Sequence, residues 1–276
     1  DDTHSFIAYY DDTMLEAAIK YKTIVDEFDD AIKAGEFKMY LQPQISAKTR
    51  RLTGAEALVR RIKPDGTIIS PIDFIPVYEK SGLISRLDRY IWEQAAAKLG
   101  EWKKAGINMS ISVNISPKDF YYIDIFNTFA GLIKKYDIEP SNLKIEITET
   151  TIMSDVPNLM GELEELRKAG FTLEMDDFGS GYSSLNTLKD INVDVLKVDM
   201  GFIKETKNVK KSRIILASVI KMAKELNLLI ITEGVETEEQ VDNLTKLGCD
   251  VFQGYYFSKA IDVNEFEKRY LYRKKA

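Results

Sequence analysis

Eight short apolar runs rich in β-branched residues recur along the chain, and helical patterns separate most of them. The runs are KMYLQPQIS (38–46), TGAEALVRR (53–61), NMSISVNIS (108–116), LKIEITET (143–150), FTLEMDDF (171–178), VDVLKVD (193–199), LLIITEGV (228–235) and CDVFQGYY (249–256). PIDFIPVYEKSG follows the second run and RLDRYIWEQAAAKLGEWKKAG precedes the third. FYYIDIFNTFAGLIKKY, VPNLMGELEELRKAG, SRIILASVIKMAKELN and ETEEQVDNLTKLG fill later gaps, and NEFEKRYLYRKK closes the chain. Strands that alternate with helices imply a mainly parallel sheet. Eight such units in about 240 residues match the size of a (β/α)₈ barrel. The first connection is short: KTR lies between QPQISA and RLTG and reads as a hairpin. The expected fold class is therefore α/β, a modified TIM (β/α)₈ barrel with an antiparallel first strand pair. A doubly wound open sheet is the alternative, but no G-x-G-x-x-G follows an early strand.

Ahead of the first run, MLEAAIKYKTIVDEFDDAIKAG (14–35) has helical spacing and ends in Ala-Gly, a helix C-cap signal. It predicts a charged linker helix entering the barrel, with a strand-like piece, FIAYY (6–10), before it. With 276 residues, 45% hydrophobic and 30% charged, the chain suits one large soluble domain. No apolar run approaches the ~20 residues of a membrane span, and there is no signal-peptide pattern. A cytoplasmic location follows for this piece. The start at Asp1 without a Met suggests a longer parent, whose anchoring in a membrane is left open. The net charge of -6 argues against a DNA or RNA polymer as partner. One cysteine, Cys249, and one histidine, His4, leave little room for Ser-His-Asp triads, zinc sites or histidine bases. Any metal chemistry must use oxygen ligands, which points to Mg²⁺ or Mn²⁺.

The active face of such a barrel lies at the C-terminal strand ends. The polar residues there are Glu56, Asn114, Glu146, Glu149, Asp176, Asp177, Lys197, Asp199, Glu233 and Gln253. Each alone reads as an ordinary barrel-mouth residue. Jointly, several buried carboxylates are prohibitive without compensating cations. Adjacent Asp176 and Asp177 end a strand before a Gly-Ser-Gly turn, where a twist brings both carboxylates to one cavity. Such a pair suits two ions roughly 3.5–4 Å apart, which clamp the oxygens of a phosphoryl displacement. A solvated acidic turn is the plainer reading. Lys197 is a candidate base on water or a counter-ion to the carboxylates. Arg60 is a candidate phosphate fork or a rim salt bridge.

TGAEALVRR, NISPKDF, EITET, MDDFGSGYSS, LKVDMGFI, TEGVET and QGYYFSKA, in this order, resemble the EAL-domain cyclic di-GMP phosphodiesterases. The resemblance runs from about Asp29 to the C-terminus, and residues 1–28 look like the tail of a GGDEF domain with its linker helix. It implies hydrolysis of cyclic di-GMP to linear pGpG with two Mg²⁺ or Mn²⁺ ions. Glu56, Asn114, Glu146 and Asp176 would bind the first ion. Asp177 would bind the second, with Asp176 bridging and Glu233 supporting. Lys197 would serve as base or hold the attacking water, with Gln253 beside it. Gln42, Arg60 and Asp199 would face the substrate, and Glu149 would anchor the DDFGSGYSS loop beside a homodimer interface. An adjacent GGDEF or sensory domain in the parent is a further implied partner. Two positions depart from the pattern: Arg61 replaces the usual Trp, and Ala260 replaces a Pro. Arg61 bears on substrate affinity or groove shape. Two other readings stay in play, a catalytically silent cyclic di-GMP sensor and an aldolase-like barrel with Lys197 as Schiff-base amine.

Overall fold

The computed structural model describes residues 12–154, 156–179, 188–189, 191–201 and 209–272. FIAYY, His4 and the Ser180–Ser184 part of the DDFGSGYSS loop lie outside them. One sheet contains β1 (Phe37–Ser46), β2 (Leu52–Ile62), β3 (Ile68–Ile69), β4 (Ile111–Ile115) and β5 (Leu143–Thr148). It continues through β6 (Leu173–Asp176), β7 (Val195–Asp199), β8 (Leu229–Glu233), β9 (Val251–Phe252) and β10 (Ile261–Asp262). Its order returns from β9 to β1 and β2, which closes an eight-strand barrel, with β3 and β10 as two-residue additions. Strand β1 runs antiparallel to both neighbours, β2 and β9, and the other barrel pairs are parallel. The inversion follows from chain length. Only Ala47 to Arg51 link β1 to β2, too few residues for the crossover that a parallel pair requires.

Alternation along the strands separates two environments. Ile111, Val113 and Ile115 of β4, Leu143, Ile145 and Ile147 of β5, and Leu173 and Met175 of β6 join the large apolar core. The residues between them, Ser112, Asn114, Glu146, Glu174 and Asp176, occupy the other face, which lines the barrel. Buried Val195 and Ile231 stand outside that apolar core, in step with Lys197 and Glu233 on their strands.

The helices are α1 (Asp12–Asp26), α2 (Phe28–Lys33), α3 (Pro71–Ser81), α4 (Ile84–Lys104), α5 (Ile125–Tyr136), α6 (Leu159–Lys168), α7 (Val209–Glu225) and α8 (Glu238–Leu247). Shorter helical turns join them. Helix α4 buries Leu87, Ile91, Trp92, Ala95, Ala96, Leu99 and Trp102, a helical-period stripe against the barrel. The linker expected as one helix is two, because the chain turns at Glu27. Beyond the turn, Phe28 and Ala31 enter the core, whereas Met14, Leu15 and Ile19 of α1 remain exposed. Phe28 packs with Phe37 and Tyr78, and Phe37 with Phe74, an aromatic group that joins α2, β1 and α3. Among the described residues, no helix is long and apolar enough to cross a membrane.

Candidate active site

The polar residues on the inner face converge on one ammonium. Fully buried Lys197 places Nζ 2.7 Å from Glu146 Oε2 and 2.7 Å from Glu233 Oε1. Glu56 Oε2 and Asp176 Oδ1 each stand 3.4 Å away. Strands β2, β5, β6 and β8 thus each bring one carboxylate to a cation on β7. Burial opposes the Lys197 charge, yet Glu146, Glu233, Glu56 and Asp176 hold its pKa well above the usual lysine value. Burial, then the charge of Glu56, pushes Glu146 well above the carboxylate range. Burial also pushes Glu233 up to about 8, against the pull of Lys197. This arrangement works against a Schiff-base role, which needs a neutral amine.

The cluster fits a divalent cation by its chemistry. Four carboxylates share one ammonium, and Glu146 Oε1 is buried without a hydrogen-bond partner. Oxygen donors of this kind, with the Asn114 amide beside them, suit Mg²⁺ or Mn²⁺. Among the described residues, no three acidic, His or Cys groups stand in ligating geometry about one point. Lys197 Nζ fills the centre of the group instead.

An amide network supports Glu56. Asn114 Nδ2 donates to Glu56 Oε1 at 3.4 Å, and Gln253 Nε2 donates to Glu56 Oε2. Gln253 also donates to Gln42 at 3.3 Å and accepts from Gln44 at 3.2 Å. Buried Gln253 is held by its neighbour: a Cβ on Gly254 would lie 2.2 Å from the Val235 carbonyl oxygen, so only glycine fits.

The acidic pair divides at the end of β6. Asp177 has φ 57°, a left-handed conformation that Asp tolerates better than most residues. Asp176 faces Lys197 and accepts from the Asp177 amide at 2.8 Å, while Asp177 stays exposed. Asp199 is also exposed and accepts from the Gly201 amide at 2.6 Å, so it caps the turn after β7. Glu149 opens the buried helical turn that follows β5. Arg60 lies 5.9 Å over the Tyr40 ring and, among the described residues, pairs with no carboxylate.

A cavity of about 270 Å³ opens beside this group, lined by Arg60, Asn114, Pro71, Ile75, Trp92 and Asp88 among others. Asp88 was not apparent from sequence, although it is an acid on the apolar stripe of α4, between Leu87 and Ile91. Its carboxyl hydrogen-bonds Asp119, which also accepts from the Ser116 amide at 2.7 Å. Burial, then the Asp119 charge, pushes Asp88 well above the carboxylate range, and burial raises Asp119 to about 6. The folded pair therefore keeps a proton that the unfolded chain releases near pH 4. Its contribution to stability falls as pH rises above about 4 and goes on falling beyond pH 6, where Asp119 has already ionised and Asp88 still holds its proton. Asp88→Asn supplies the donor without a proton. It is expected to flatten this dependence and raise the unfolding free energy at pH 7 by about 1–3 kcal/mol in denaturant titrations. A slope like that of the wild type would refute the shared proton.

The EAL domain model matches residues 25–260, most of the chain. The chain belongs to the EAL domain family. The signaling protein YkoW of Bacillus subtilis is 36% identical to this EAL domain over 239 residues, which is 87% of this chain and 30% of that protein. The bifunctional diguanylate cyclase/cyclic di-GMP phosphodiesterase MucR of Pseudomonas aeruginosa is 31% identical over 258 residues, 93% of this chain and 38% of MucR. The chain thus spans about a third of the length of these relatives. A solved MucR phosphodiesterase in complex with c-di-GMP superposes with a TM-score of 0.82 at 32% identity, covering 88% of this chain and 99% of that one. The barrel with one inverted strand is thus the EAL fold. Arg61, which departs from the family pattern, turns away from the groove. It is buried on the outer face of β2 against Glu36 and Glu27.

Proposed function

We propose that this EAL domain hydrolyses one phosphodiester bond of cyclic di-GMP to give linear pGpG, using two Mg²⁺ or Mn²⁺ ions. The observation that carries the reading is the convergence of Glu56, Glu146, Asp176 and Glu233 on Lys197, a group short of positive charge and built from oxygen donors. Glu56, Asn114, Glu146 and Asp176 would hold one ion, and Asp177 and Asp176 the other, with Glu233 in support. Bound divalent ions would acidify a water and neutralise the phosphate in the transition state.

The chain's own groups orient the reactants. Lys197, held protonated here, is set to donate a hydrogen bond to the attacking water. Service as a base would require bound cations to offset the four carboxylates. Gln253, tied to Glu56, Gln42 and Gln44, fixes the amide layer beside that point. Arg60 presents a guanidinium fork at the cavity for a phosphate. The adjoining cavity has apolar walls at Pro71, Ile75 and Trp92 and an acceptor at Asp88, which suits a purine carrying N–H donors.

Product analysis beside Glu56→Ala tests this. Wild type with Mn²⁺ is expected to yield pGpG, and the variant to lose at least about 10³-fold in turnover. A silent sensor is favoured instead if wild type binds cyclic di-GMP in a calorimeter and releases no product. The central placement of Lys197, where a cation would have to compete, is the observation on its side.

A further inference from the structure

Arg61 has two ties, and both lead to the segment that enters the barrel. Its Nε donates to Glu36 Oε2 at 2.9 Å and its Nη2 to Glu27 Oε2 at 2.7 Å. The guanidinium lies 5.7 Å over the Phe37 ring and is almost wholly buried. Glu27 is the turn between α1 and α2, and Lys63 of the same neighbourhood also reaches it at 3.5 Å. A buried guanidinium has no water to replace a lost carboxylate, so this joint is stiff.

The next residue along β2 is Arg60, which lines the cavity. The two share a peptide unit, and their register against Phe37 and Lys38 of β1 is continuous. Any shift of Arg61 therefore moves Arg60. A second part of the cavity lining is tied to α1. Lys20 Nζ lies 2.7 Å from Asp73 Oδ1, and the Tyr78 hydroxyl donates to the Ile24 carbonyl at 3.5 Å. Asp73 and Tyr78 belong to α3, which gives Pro71, Ile75 and Glu79 to the same cavity. Both parts of the lining thus report the position of the entering segment, one through α1 and the other through the Glu27 turn that follows it.

We propose that Arg61 is a positioning residue through which the Glu27 turn at the end of α1 sets the place of Arg60, and with it the affinity for cyclic di-GMP. This rests on the proposed function for its ligand. Mutations along such a coupled set change binding by about two- to tenfold. The catalytic carboxylates are not part of the path, so turnover at saturation is left alone.

The test uses the whole 276-residue chain, with cyclic di-GMP affinity by calorimetry in chelator and steady-state kinetics in Mn²⁺. Glu27→Gln removes the charge at a partly exposed carboxylate without changing shape. It is expected to raise Kd and KM together by about two- to tenfold and to leave kcat within about twofold. Lys20→Ala, at an exposed lysine, cuts the second tie and is expected to shift Kd in the same direction. An unchanged Kd in both variants overturns the proposal, as does a loss confined to kcat. Wild type that binds no cyclic di-GMP overturns this inference and the proposed function together. Wild type that binds, with variants that bind equally well, overturns this inference alone.

Discussion

Glu146→Gln is expected to abolish turnover and to make the metal-free protein more stable. The two effects share one cause. Glu146 is fully buried, Lys197 is its ion partner, and its second oxygen has no hydrogen-bond partner. Burial and the charges of Glu56, Glu174 and Asp176 outweigh the attraction of Lys197, as the raised pKa records. An amide of the same shape keeps an acceptor for the ammonium and removes the repulsion. The folded state should gain about 1–3 kcal/mol, seen as a higher unfolding midpoint in chelator at neutral pH. Loss of an oxygen proposed to ligate the metal should lower turnover by at least about 10³-fold in Mn²⁺. A site selected for rigidity alone would behave differently, because neutralising it would bring no gain. A variant that is inactive and also less stable would mean that Glu146 is held by attraction, and that the cluster has no surplus charge to give to a metal.

The barrel was legible because its two signals are local. The eight runs set the strand count, and the five-residue link Ala47 to Arg51 set the one antiparallel strand. The residues meeting at Lys197 were legible for a related reason. Glu56, Glu146, Lys197 and Glu233 each break an apolar run, and a polar residue at an inward position has only the barrel interior to occupy. What the sequence did not show depends on side chains that meet from distant segments. Asp88 and Asp119 lie on two separate helical segments, and only packing brings them together to share a proton. Arg61 and Arg60 are neighbours of like chemistry, yet strand alternation sends one to the cavity and the other to the buried outer face, beside Glu27. Neither composition nor spacing marks which is which until the register of β2 is fixed. The break at Glu27 had no glycine or proline to announce it; it coincides with the burial of Phe28 and the pairing of Glu27 with Arg61.

Lys197→Met should have the largest effect on the fold. Met keeps most of the length and apolar volume of the side chain and removes the one cation that, among the described residues, meets the four carboxylates. Left unpaired, Glu146, Glu233, Glu56 and Asp176 would repel one another in a buried space. The expected loss is about 3–5 kcal/mol in chelator at neutral pH, or roughly 10 °C in midpoint for a chain of this size. The deficit should shrink as pH is lowered, because protonation of the carboxylates then does what the ammonium did. Mg²⁺ or Mn²⁺ should also shrink it, since a bound cation stabilises the fold in proportion to the logarithm of its concentration above Kd. The metal-induced gain should be larger in the variant than in wild type, where the ammonium competes for the same carboxylates. Turnover should stay absent in either case, because no group then orients the water. A variant as stable as wild type in chelator would show that Lys197 is not the neutralising charge. A deficit that acid relieves and metal does not would show that the carboxylates gather around the lysine alone, and the silent-sensor reading would then account for this EAL domain better than catalysis does.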